Sequence, residues 1–227
     1  MQDAEKQRHP KLRPGTRQTT PAPEACPWRW VSERGLRLQA GAETLARYDA
    51  IVAAALAEVE AVIPADGSLL VVLHRGAAPS VQLRHLLSVA VPARAEAAGT
   101  LHTLPVRYGG KAGLDWSQLA ERAGLSVDAA AALHASVEYR VMFIGFQPGF
   151  AYLHGTPASL QYPRLDRPRT QVAAGSLAIG GVYSGIYPAS GPGGWNLIGE
   201  VEVSLFDATR ERPALLQPGD RVRLLVQ

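Results

Sequence analysis

The segment Gly145-Phe146-Gln147-Pro148-Gly149-Phe150-Ala151-Tyr152-Leu153 sets three aromatic rings among two glycines and a proline. Glycine admits positive φ and proline fixes φ near −65°, so the segment reads as a stiff reverse loop. It presents Phe146, Phe150 and Tyr152 at one end of a barrel, where such rings line a ligand pocket or simply cap a core. A second segment, Tyr162-Pro163-Arg164-Leu165-Asp166-Arg167-Pro168-Arg169, places three arginines in a proline-stiffened loop. Guanidinium groups hold a carboxylate or phosphate bidentately, and they also brace loop carbonyls. The third segment is Ser190-Gly191-Pro192-Gly193-Gly194-Trp195, with Tyr187-Pro188 just ahead of it. Glycine-rich loops let backbone N–H groups approach an anion, and they also make plain tight turns. The candidate substrate-binding residues are therefore Phe146, Gln147, Pro148, Gly149, Phe150, Tyr152, Arg164, Arg169, Tyr187, Gly193, Gly194 and Trp195. His134, at the end of a predicted helix, is the candidate catalytic residue, although a cation there also suits the helix dipole.

Other chemistries lose ground. No G-x-x-x-x-G-K-[ST] occurs, no H-E-x-x-H and no G-x-S-x-G, which argues against a Walker ATPase, a stand-alone metallohydrolase and a serine esterase. Cys26 is the only cysteine, so there is no internal disulfide, no cysteine zinc site and no metal to expect. The sequence pI is near 9.2, yet residues 1–26 carry a net +2 and the other 201 residues only +1. Without a concentrated basic stripe, nucleic-acid binding is not expected. The longest apolar helical run, Ala50 to Ala57, stops at Glu58, so neither a membrane span nor a signal peptide is expected and the location reads as cytoplasmic.

The elements that must position these residues follow from periodicity. Residues 1–26, polar and proline-rich, read as a disordered leader. Residues 27–103 read as a small α/β domain. Trp28, Trp30 and Leu36, Leu38 alternate like two strands around Glu33-Arg34-Gly35. Leu45, Tyr48, Val52, Ala55, Val59 and Val62 step by three and four, predicting one long helix ended by Pro64 and Asp66-Gly67. Ser68 to His74 is a buried strand, and a helix starts near Pro79-Ser80. Arg94 to Ala98 extends that helix or turns beyond Pro92, and Thr100 to Tyr108 is counted as the region's last strand. Between Asp115 and Ser136 two short helices are expected, the first capped by Asp115 and closed by Gly124, the second opened by Ser126. Residues 140–199 hold 11 of the 22 glycines, so tight turns must punctuate the strands expected at Val141 to Phe146, Ser176 to Ile179 and Asn196 to Ile198. Strands at Val201 to Phe206 and Arg221 to Val226 complete a β-barrel with a two-helix insertion over 104–227. The fold class is α+β.

Five ordered motifs carry a family resemblance. They are Gly145 to Leu153, Pro163 to Arg169, Gly175 to Gly181, Gly185 to Pro188 and Pro192 to Gly199; Leu104 to Gly110, Leu133-His134 and Leu216 to Val222 add to them. Together they resemble the allophanate hydrolase subunit 1 family, also called PxpB or KipI. The resemblance implies a small α/β sandwich domain followed by a cyclophilin-like barrel. It also implies the B component of an ATP-dependent 5-oxoprolinase, a hydrolase that converts 5-oxo-L-proline to L-glutamate in a heteromeric complex with A-like and C-like partner proteins. ATP would be used by that complex. The same family resemblance leaves open a regulatory protein that inhibits a sensor histidine kinase, or a component related to allophanate hydrolase or urea carboxylase. Four positions depart from the family pattern. Lys111 stands where an acid is usual, Ala173 for a proline, Glu200 for a basic residue and Val201 for a threonine.

Overall fold

The computed structural model describes residues 28–91 and 99–227. The leader reading of 1–26, Cys26 and the Arg94 to Ala98 extension lie outside the described residues.

Strands β1 (Trp28–Trp30) and β2 (Gly35–Gln39) form the expected hairpin. The predicted long helix does not form. Helix α1 covers Thr44–Ala53 only, and β3 (Val59–Ala65) takes the remainder. Val59, Val62 and Ile63 are β-branched, and β3 pairs along β4 (Ser68–Leu73), which satisfies the backbone of an otherwise open edge. Ala55, at φ 45, marks the break between helix and strand. Pro64 does not end a helix; it lies in β3, at the edge of the sheet ordered β1-β2-β4-β3, where a missing N–H is tolerated. Asp66-Gly67 makes the tight β3–β4 turn, with Gly67 at φ 63. Helix α2 (Val81–Ser88) starts as expected at Ser80, whose hydroxyl accepts from the Leu83 N–H at 3.1 Å. Leu36, Leu38, Leu69 and Val71 from the sheet pack with Ile51, Leu83 and Leu87 from the helices into one core.

Strand β5 (Leu101–Tyr108), counted with that sheet from sequence, belongs to the barrel instead, between β12 (Asn196–Val201) and β13 (Arg221–Val226). The other barrel strands are β6 (Glu138–Ile144), β7 (Ala151–His154), β9 (Ser176–Gly180) and β10 (Tyr183–Ile186). They close in the order β10-β7-β6-β13-β5-β12-β9, with β9 pairing β10. The expected strand over Val201 to Phe206 does not form: β12 ends at Val201, and Phe206 makes only an isolated bridge to Ala214. Strand β8 (Arg169–Val172) pairs with β11 (Gly191–Gly193) in a separate two-stranded ribbon, so the glycine-rich segment read as a loop is partly strand.

Helices α3 (Trp116–Arg122) and α4 (Val127–Ala135) are the predicted insertion. Ser126 caps α4 through a 3.1 Å bond from the Ala129 N–H, and Gly124 sits at φ 70 after α3. Trp116, Leu119 and Ala130 join Val106, Val141, Leu153, Ile179 and Ile198 in the barrel's interior core.

Candidate functional site

Strand alternation sorts the site's aromatics. Leu153, Leu177, Ile179 and Ile198 belong to the interior core, whereas their neighbours Tyr152, Ala178 and Leu197 cluster with Phe150, Tyr187 and Trp195. The aromatic layer therefore lies on the outer wall of the barrel, not at its end as the sequence suggested. Phe150 is its hub, edge-on to Trp195 at 5.3 Å and 89° and to Tyr187 at 5.3 Å and 77°. Phe146 stands at the rim, 60% exposed, with its ring 5.5 Å from that of Phe150. Its φ of 66 is the left-handed region, costly for a residue with a Cβ by about 1–2 kcal/mol.

This layer encloses a cavity of about 330 Å³. Eight of the twelve expected binding residues line it: Phe146, Phe150, Tyr152, Arg164, Tyr187, Gly193, Gly194 and Trp195. Leu165, Pro168 and Pro192 complete the wall and were not foreseen; they lie inside the quoted loops but carry no polar group to single them out. Gln147, Pro148 and Gly149 form the turn behind it. There the Gln147 N–H donates to the Gly145 carbonyl at 2.8 Å, and the Phe150 N–H donates to the Gln147 carbonyl at 3.0 Å.

The two expected arginines have different fates. The Arg164 guanidinium lies over the Trp195 ring, 5.5 Å from its centroid, and among the described residues it makes no hydrogen bond or ion pair. Arg169 is committed. Its Nη2 reaches both oxygens of the Asp115 carboxylate, at 2.7 and 2.9 Å, and its Nη1 donates to the Trp195 carbonyl at 3.3 Å. Asp115, expected as a helix cap, makes no cap bond; its carboxylate accepts instead from Arg169 and from the Leu197 N–H at 2.7 Å. Asn196 donates to the Pro163 carbonyl at 2.9 Å and the Leu165 N–H to that of Gly194 at 2.7 Å, which pins the arginine loop across the cavity.

His134 stands apart from the cavity. It is fully buried, with Nδ1 2.8 Å from the Tyr108 hydroxyl and Nε2 2.9 Å from Ser184 Oγ. Burial pushes its pKa down to about 3, so it is neutral across the physiological range. The unfolded chain takes up a proton near the ordinary value of 6.5, which the folded chain resists. Stability held above pH 6.5 is therefore lost as pH falls towards 3, by up to about 1.4 kcal/mol per pH unit for this one group. In an NMR titration the His134 ring signals should stay fixed from pH 8 to pH 5; an inflection near 6.5 would show the imidazole to be solvated.

Three of the four departures from the family pattern, Lys111, Ala173 and Glu200, line a second cavity of about 290 Å³ that Arg169 also borders. Val201 is buried in β12, and its N–H donates to the Gly175 carbonyl at 2.9 Å. None of the four lines the aromatic cavity. Among the described residues no group of three His, Cys, Asp or Glu side chains could hold a metal, and no helix is long and apolar enough to cross a membrane.

The sequence and fold of this chain have known counterparts. The chain belongs to the family described as "Carboxyltransferase domain, subdomain C and D", whose model matches residues 28–216. Within it, the resemblance to the PxpB family is borne out. A protein of Escherichia coli O157:H7, named as the B subunit of 5-oxoprolinase, is 52% identical over 124 residues, 55% of this chain and 57% of that protein. One of the same name from Haemophilus influenzae is 47% identical over 124 residues, 55% of this chain and 58% of that protein. The matched stretch thus spans little more than half of these relatives. The solved structure of TTHA0988 is 38% identical with a TM-score of 0.73, covering 86% of this chain and 40% of that one. Kluyveromyces lactis urea carboxylase, 16% identical with a TM-score of 0.65 over 88% of this chain and 21% of its own, shares the fold.

Proposed function

We propose that this chain is the B component of an ATP-dependent 5-oxoprolinase, working with A-like and C-like partners to convert 5-oxo-L-proline to L-glutamate. The carrying observation is the aromatic cavity with Arg164 as its uncommitted cation, in a chain whose relatives are named for that role. A small lactam acid needs an apolar slot for its ring and one positive group for its carboxylate, and the cavity offers both.

A lactam carbonyl is a poor electrophile. ATP would transfer a phosphoryl group to the lactam oxygen and leave as ADP. Water would then add to the activated carbon and the C–N bond would break. Hydrolysis of the resulting acyl phosphate would release phosphate and L-glutamate. The cavity does not fit a nucleoside triphosphate, because its wall is chiefly aromatic and aliphatic and carries a single cation. We therefore assign ATP to the complex and substrate holding to this chain. The division into an α/β part over 27–103 and a barrel part over 104–227 belongs to the same proposal, with the barrel part carrying the substrate.

The test is ATP-dependent conversion of 5-oxoproline by the complex, with this chain present, omitted, or carrying single substitutions. Omission should abolish activity. Arg164→Ala should raise KM about 10- to 100-fold through loss of a charge-assisted contact. Full activity without this chain would overturn its place in the enzyme. An unchanged KM in Arg164→Ala would overturn the site.

A further inference from the structure

Aromatic packing does not account for every group in the cavity wall. Tyr187 is 1% exposed, yet no described residue accepts its hydroxyl proton. The hydroxyl is not sealed in the core, since it lies against the Gly193 backbone and Tyr187 and Gly193 both line the cavity. A Cβ at Gly193 would collide with the Tyr187 oxygen, so the bare glycine is what lets the phenol reach this point. Phe146 and Phe150 hold the ring edge-on at 6.1 and 5.3 Å, which fixes where the hydroxyl points. Buried polar groups nearly always have partners, and an unmet donor costs about 1–3 kcal/mol. A donor left open only towards a cavity therefore awaits a ligand acceptor.

We infer that the Tyr187 hydroxyl donates a hydrogen bond to a carbonyl oxygen of the bound ligand, while Arg164 holds the ligand's carboxylate. This makes Tyr187 a specificity-determining residue, separating ring acids that carry a carbonyl from those that do not. The inference rests on the substrate-holding reading above in naming 5-oxoproline as its probe. Burial raises the phenol's pKa, opposed by the Trp195 backbone N–H and by the positive charge of Arg164, so the group stays protonated and able to donate. Apolar walls cannot tell a ring carbonyl from a methylene strongly, whereas a hydrogen-bonding group in a dry pocket can.

The experiment measures binding of 5-oxo-L-proline, L-proline and 2-pyrrolidinone to the full chain by calorimetry, in the wild type and in Tyr187→Phe, alongside KM in the reconstituted complex. Phenylalanine keeps the ring and removes only the oxygen, and a melting curve checks that the variant folds. Wild type should prefer 5-oxoproline to proline, and Tyr187→Phe should lose about tenfold for 5-oxoproline and pyrrolidinone with proline unchanged. An active complex whose KM and ligand preference are untouched by Tyr187→Phe overturns the inference and leaves the 5-oxoprolinase reading standing. An inactive complex, with this chain still binding pyrrolidinone in a Tyr187-dependent way, overturns the 5-oxoprolinase reading and supports the inference. Binding of none of the three by the wild type overturns both.

Discussion

Asp115→Ala should lower the stability of the fold by about 3 kcal/mol, a fall in Tm of roughly 6–12 °C for a chain of this size. The loss exceeds that of a surface ion pair because one carboxylate serves both a guanidinium nitrogen and a backbone amide. Arg169 Nη2 reaches both of its oxygens, the backbone N–H of Leu197 donates to one of them, and its side chain is only 14% exposed. Removing the carboxylate leaves Nη2 of a half-buried guanidinium and a buried amide without their acceptor. The damage then reaches the cavity, since Arg169 also donates to the Trp195 carbonyl and Leu197 lies two residues beyond Trp195. Tryptophan fluorescence should shift along with the melting curve. Asp115→Asn keeps one acceptor but loses the charge and should fall between the two. A melting temperature within 2 °C of wild type for the alanine variant would show that water replaces the carboxylate and that the pair is no strut.

Asp115 also shows where sequence reasoning stops. Just ahead of a helical pattern, an aspartate is a sensible N-cap, and nothing nearby announces that residues 169 and 197 will claim it. The same holds for the helix expected through Val62. Its three- and four-residue spacing is real, but β4 needed a partner and the β-branched Val59, Val62 and Ile63 supplied one, so tertiary pairing overrode periodicity. Features set by local chemistry were legible: the helix start at Ser80, the opening of α4 at Ser126, the β1–β2 hairpin and the insertion of two short helices. The cavity was legible residue by residue, because Phe146, Phe150, Tyr152 and Trp195 fall in quotable motifs. Its position on the outer wall was not, since that depends on which way each strand faces once the barrel has closed. The split between Arg164 and Arg169 was equally hidden, because three arginines in one loop look alike until a distant acid selects one of them.

The outer-wall placement makes a sharp demand on Gly180. A Cβ there would stand 2.5 Å from the Cδ2 and Cε2 atoms of Trp195, inside the distance real Cβ atoms tolerate. Gly185 faces the same layer, where a Cβ would approach Phe150 Cζ at 2.7 Å. The barrel wall is thus bare under both rings, and the aromatic layer rests directly on backbone. Gly180→Ala should cost about 1–3 kcal/mol by overpacking and push the indole towards the cavity. Because the Arg164 guanidinium lies over that indole, the same push should disturb the cation and the slot together, and 5-oxoproline affinity should fall at least about tenfold. Gly145→Ala is the control. Its Cβ would meet only Tyr152 Cε2 at 3.7 Å, ordinary contact, and both stability and affinity should stay near wild type. Should Gly180→Ala bind the lactam as wild type does, despite a lowered melting temperature, the indole cannot be the floor of the substrate slot. Arg164 would then have to act from another position.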